Sequence, residues 1–81
     1  MTTTLTASER QVLYELDGAP DKTLSLGTLY AAAPHSLRLT QTGLQRVLRR
    51  LEARRMVDLD GGAMSLTFGG MQALAGEQVS A

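Results

Sequence analysis

The chain has no cysteine, no tryptophan, two prolines and only three aromatic residues, Tyr14, Tyr30 and Phe68, among its 81 residues. Without cysteine, disulfides and thiolate metal sites are excluded, and a reducing compartment suits the protein. No apolar run approaches the roughly 20 residues that cross a bilayer. The opening MTTTLTASER lacks the basic and then apolar stretches of a secretory leader. His35 is the single histidine and sits beside Pro34, so no second imidazole or thiolate can complete a metal site with it; a turn or surface role is expected. No phosphate-binding loop, dinucleotide fingerprint or nucleophile motif is present, and Asp58 and Asp60 read as solvated residues of a hairpin. These absences lead to an expectation of a single soluble, cytoplasmic domain over residues 1–81, ordered from about 5 to 75. It is not expected to be an enzyme or to need a metal, cofactor or membrane. A domain this small buries only about 60–65% of the surface its unfolded chain exposes. Its core must be simple, built from Leu, Val, Met and Ala, with Met56, Met64 and Met71 as gap-fillers.

Net charge is also lacking: eight basic residues balance eight acidic ones. Seven of the eight are Arg, a composition common in GC-rich bacterial genomes. The charge is unevenly placed. Residues 1–37 carry Arg10 and Lys22 against Glu9, Glu15, Asp17 and Asp21, for a net −2. Residues 38–55 carry Arg38, Arg46, Arg49, Arg50, Arg54 and Arg55 against Glu52 alone, for +5, and residues 56–81 carry only Asp58, Asp60 and Glu77, for −3. A local basic patch attracts a polyanion even on a neutral molecule.

Four helices and a hairpin are expected. Thr6 and Glu9 form a capping box for a helix over about 7–17, with Val12, Leu13 and Leu16 on one face and Gly18 as its stop. Leu24 forms a single pairing or a short strand. Ser25 then caps a second helix carrying Leu26, Leu29, Tyr30 and Ala33, closed by Pro34, and APHSLR is a connector. Thr40 caps a third helix from about 41 to 54, with Leu39 and Leu44 at the spacing of a hydrophobic staple. The alternating runs MVDLD and AMSLT, separated by Gly61-Gly62, predict a hairpin. Thr67 caps a last short helix, FGGMQALA, with Gly69 and Gly70 as helix-start residues and Gly76 as its end. The polar ends MTTT and GEQVSA are expected to fray.

The third helix carries the functional signal. At about 100° per residue from Gln41, Leu44, Val47, Leu48 and Leu51 fall at ~300°, ~240°, ~340° and ~280°, one apolar arc. Gln45, Arg49, Thr42, Arg46 and Arg50 fall at ~40°, ~80°, ~100°, ~140° and ~180°, on the opposite side. One reading is an ordinary solvated face. Such faces usually mix signs through Glu/Lys pairs a turn apart, whereas only Glu52 answers these arginines. The other reading is a surface for a nucleic acid. Gln pairs with adenine and Arg with guanine, while Thr offers a hydroxyl and a methyl; Arg49, Arg50 and Arg54 suit phosphates.

The order of these elements resembles a winged helix-turn-helix domain, most closely that of MarR-like bacterial transcriptional regulators. The resemblance is carried by Leu5-Thr6 with Val12-Leu13 and Leu16, by GLQRVLRRLEARRMV with Leu51-Glu52 and Met56-Val57, and by Leu66-Thr67 followed by Gly70. It spans roughly residues 5–75. It implies a mainly helical fold of a three-helix core, a short two-stranded wing and a short C-terminal helix, binding double-stranded DNA. Carried over by position, Gln41, Thr42, Gln45 and Arg46 would face bases. Arg38, Arg49 and Arg50 would hold phosphates, with Ser25 and Thr28 at the start of the second helix. Arg55 stands where the family usually has a helix-ending glycine. The wing, DLDGGAMS, carries two Asp and no Arg, which argues against the usual minor-groove contact. The long terminal helices through which such regulators dimerise and form an effector pocket are lacking, so no small-molecule effector is expected. A homodimer remains one expectation. The alternative is a protein-interaction winged helix whose basic ridge docks an acidic partner.

Overall fold

The computed structural model describes residues 5–79, with side chains for 5–76. Helix α1 runs Ala7–Asp17, strand β1 Thr23–Ser25, helix α2 Leu26–Ala32, helix α3 Gln41–Ala53, strands β2 Val57–Asp60 and β3 Ala63–Leu66, and helix α4 Phe68–Val79. The protein is mainly helical, with one antiparallel sheet in the order β1-β3-β2.

Local chemistry starts each helix where the sequence signals it. The Thr6 hydroxyl accepts the Glu9 N–H at 3.1 Å while Glu9 Oε1 accepts the Thr6 N–H at 2.9 Å. Ser25 Oγ accepts from Thr28 N–H, and Thr40 Oγ1 from Gly43 N–H. Each bond satisfies an amide that the first turn leaves without a helical partner. Leu39 packs half-buried on the core before α3, as the staple requires.

Helix ends depart more from expectation. Gly18 closes α1 through its N–H to Tyr14 O but keeps a right-handed φ of −82°, so its glycine freedom is not used there. Pro34 does not close the second helix. It lies inside a widened π-helical turn, Ala33–Leu37, that ends on Arg38 with a left-handed φ of 55°. Pro34 has no N–H for the Tyr30 carbonyl and its ring crowds that oxygen. Widening the turn relieves the crowding and carries Ala33 and Leu37 into the core. Gly76 does not end α4 either; the helix continues to Val79. Of the ends expected to fray, residues 1–4 and 80–81 lie outside the described residues, whereas 76–79 form the last turn of α4.

The hairpin turns on Gly61 and Gly62, with φ of 59° and 80°, the two positive values of a type I′ turn. Its register pairs Val57 with Leu66 and Leu59 with Met64, so these four share one face as expected. Leu24 pairs with Met64, extending the hairpin to a third strand. Leu59 is nevertheless 41% exposed. It lies on the edge strand β2, whereas its partner Met64 on the central strand is buried. The core proper joins Leu5, Val12, Leu13 and Leu16 of the first helical segment to Leu29, to Leu44, Val47, Leu48 and Leu51 of α3, and to Met56, Val57, Met64, Leu66 and Leu74. Met71 is half-buried against it.

Candidate nucleic-acid interface

The apolar arc of α3 is anchored: Leu44, Val47, Leu48 and Leu51 are all buried. Helical geometry then leaves the opposite side no choice but solvent, and Gln41, Thr42, Gln45, Arg46, Arg49 and Arg50 are all exposed. Ion pairs join Lys22 to Asp17 at 2.7 Å and Arg54 to Glu9 at 3.5 Å, and none among the described residues involves Arg46, Arg49 or Arg50. Arg46, Arg49 and Arg50 therefore face outward without a carboxylate of the described fold at ion-pairing distance. Glu52, the one acid on α3, lies beside the hairpin in a shallow cleft lined also by Arg55, Val57, Asp58 and Thr67.

Arg54 differs from its neighbours. Its guanidinium lies on Glu9 Oε2, a carboxylate of α1 that is fully buried at 0% exposure. The structure thus gives this residue, expected to hold a phosphate, a partner inside the fold, where it ties the end of α3 to the start of α1. Glu9 was legible only as a cap. Its spacing of three, four and seven residues from Val12, Leu13 and Leu16 also puts it on the apolar face of α1, and that signal foretells its burial.

The other expected phosphate contacts lie outside α3. The hydroxyls of Ser25 and Thr28 share a 2.8 Å hydrogen bond at the start of α2 and remain on exposed residues. Leu26 N–H donates to Gly62 O at 2.9 Å, so the hairpin turn is held against this helix start. Ser25 pairs with Ala63, which pairs with Asp60. The acidic strand therefore stands about 10 Å, two strand spacings, from Ser25. Arg38, two residues before the Thr40 cap of α3, is exposed beside a depression it shares with Ala7, Ser8 and Gln11 of α1.

The hairpin is short and acidic. Asp58 and Asp60 are exposed on the face away from the core, in rows with Ser65 and Ala63. Its strand β3 pairs with β1 as far as Ala63 at the turn, so little of the hairpin projects beyond the sheet.

The link between α3 and the hairpin is clamped by the start of α4. Arg55 takes a left-handed φ of 60°, the conformation usually given to glycine. Its carbonyl accepts the Thr67 hydroxyl at 2.6 Å, and Met56 O accepts the Thr67 N–H at 3.1 Å. Thr67 Oγ1 in turn accepts from Gly70 N–H, capping α4. A Cβ at Gly70 would overlap the Met56 carbonyl oxygen and come within 2.6 Å of Leu66 Cδ1. Gly70, expected as a helix-start residue, is the point where two backbones meet.

Among the described residues no cluster of His, Cys, Asp and Glu is arranged to hold a metal ion. No helix among them is long and apolar enough to cross a membrane. Compared with protein-family models, curated proteins and solved structures, the chain matches none, so the chemistry of its own surface is what bears on function.

Proposed function

We propose that this chain is a small winged helix-turn-helix protein that binds double-stranded DNA as a transcriptional regulator, with α3 as the helix that enters the major groove. The single observation that carries the reading is the exposed Arg46, Arg49 and Arg50 ridge, opposite a fully buried leucine arc and unanswered by acids of the described fold. The order of helix, strand, helix, helix, hairpin and helix supports it, as does a capped start to α3. A helix about 10–12 Å across fits a groove about 12 Å wide. Neutralisation of about three phosphates by arginine gives log affinity a slope near −2.7 against log salt, or about a fortyfold loss between 50 and 200 mM. Fluorescence anisotropy of a labelled duplex across that range tests this. Affinity independent of salt would refute it.

The acidic hairpin favours a second reading, in which the same ridge docks an acidic protein. Asp58 and Asp60 repel a duplex that the hairpin approaches, but not a partner that meets α3 alone. Arginine variants that lose a stable protein partner, in a protein with no salt-dependent affinity for duplex, would select this alternative.

A further inference from the structure

Resting on the DNA-binding reading, we infer that Arg49 reads a base rather than a phosphate, and that the half-site bound by α3 carries two guanines, one under Arg46 and one under Arg49. The direction in which α3 is buried assigns these roles. Leu44, Val47, Leu48 and Leu51 are the buried residues of the helix, and their arc centres at about 290° on the wheel that starts at Gln41. The outward pole is then at about 110°. Thr42 at about 100°, Arg49 at about 80°, Arg46 at about 140° and Ala53 at about 120° form the crest around that pole. Gln45 and Arg50 each lie about 70° to either side, and Gln41 about 110° away.

A helix entering a groove along its crest presents the crest to the base edges and its two flanks to the sugar-phosphate walls. Arg49 belongs to the first group and Arg50 to the second. Gln45 becomes a flank residue on the opposite side. No acidic side chain stands on the crest, so cytosine's N4 amine finds no carboxylate there. The two guanidinium forks match guanine O6 and N7, and the Thr42 methyl matches the thymine C5-methyl.

Spacing along the axis sets the order. Arg46 and Arg49 are about 4.5 Å apart in rise and Thr42 and Arg46 about 6 Å. With about 3.4 Å per base pair, the guanines fall on adjacent or alternate pairs, and the thymine about two pairs beyond the Arg46 guanine. Both arginines are exposed and lack ion-pair partners among the described residues, so neither must break an internal bond to reach the groove.

The test is a selection from a random duplex pool with the intact chain and its Arg46→Ala, Arg49→Ala, Arg49→Lys and Arg50→Ala variants. Circular dichroism of each variant confirms that it is folded. The intact chain is expected to enrich two guanines within two base-pair steps. Arg49→Ala should flatten one of them by about tenfold or more and leave the other. Arg49→Lys should flatten the same one, because an ammonium keeps the charge but not the fork. Arg46→Ala should flatten the other guanine, and Arg50→Ala should weaken every sequence alike. If Arg49→Ala weakens all sequences alike and Arg49→Lys restores binding with both guanines still selected, Arg49 holds a phosphate and the inference is overturned. If the intact chain binds duplex in a salt-dependent way but enriches no guanine pair, the inference also fails while the DNA-binding reading stands. If the intact chain binds no duplex at all, that reading itself has failed.

Discussion

Replacing Gly70 with alanine adds one methyl group where the structure has no room for it. The new carbon would overlap Met56 O and approach Leu66 Cδ1 to 2.6 Å. The carbonyl is backbone, fixed between α3 and β2, so relief must come from sliding the start of α4 outward. That motion stretches the Thr67 Oγ1 bond to Arg55 O (2.6 Å) and the Thr67 N–H bond to Met56 O (3.1 Å). Losing two such bonds costs about 1–3 kcal/mol, and the overpacking itself about 1–3 kcal/mol. Alanine's better helix propensity returns up to about 1 kcal/mol. The net expectation is a loss of about 1–6 kcal/mol, and each kcal/mol lowers Tm by about 4–8 °C in a domain of this size. Thermal unfolding followed by circular dichroism measures it. The control is Gly76→Ala in the same helix, where an added Cβ meets nothing within 4 Å; it should stabilise by about 0.4–1 kcal/mol. Equal behaviour of the two variants would refute the close approach of α4 to the α3–β2 link.

Arg55→Gly should raise stability by about 0.5–1 kcal/mol in urea unfolding. Relief of a left-handed residue, about 1–2 kcal/mol, outweighs the glycine's added unfolded-state entropy of about 0.5–1 kcal/mol; a loss would place the 60° φ of Arg55 in question. Glu9→Ala should cost about 1–3 kcal/mol, because it leaves the Thr6 N–H without its acceptor. Glu9→Gln, which keeps that acceptor, should cost less than about 1 kcal/mol, since Arg54 is 43% exposed and its ion pair is screened by water. Equal costs for the two would mean that the charge, not the cap, matters at Glu9. Joint replacement of Asp58 and Asp60 by asparagine should tighten duplex binding a few-fold at low salt, an effect that fades as screening shortens to about 8 Å near 0.15 M. An unchanged affinity would show that the hairpin stays clear of the duplex.

Much of the fold was legible because its signals are local. Thr6, Ser25, Thr40 and Thr67 each cap the helix that follows through a bond spanning three residues, and such a bond needs no distant partner. The helical period of Leu44, Val47, Leu48 and Leu51 fixed which side of α3 is buried, and hence that Arg46, Arg49 and Arg50 face out. The reading failed at two helix ends, and at the first of them packing overrode the local rule. Pro34 should break a helix, yet the chain widens around it because Ala33 and Leu37 gain burial by continuing. Gly76 should stop α4, yet the helix runs on to Val79.

The sequence by itself determined the elements, their starts and the polarity of α3, since these depend on neighbours within one or two turns. Tertiary structure alone decided which arginine is engaged. Glu9 and Arg54 lie far apart in the chain, and only the packing of α1 against the end of α3 brings their charges to 3.5 Å. It also decided that Gly70 can be nothing larger, because the carbonyl it must clear belongs to Met56 on a different element. Sequence periodicity reports the direction in which a side chain leaves its own backbone; what waits there is settled when separate elements close on one core.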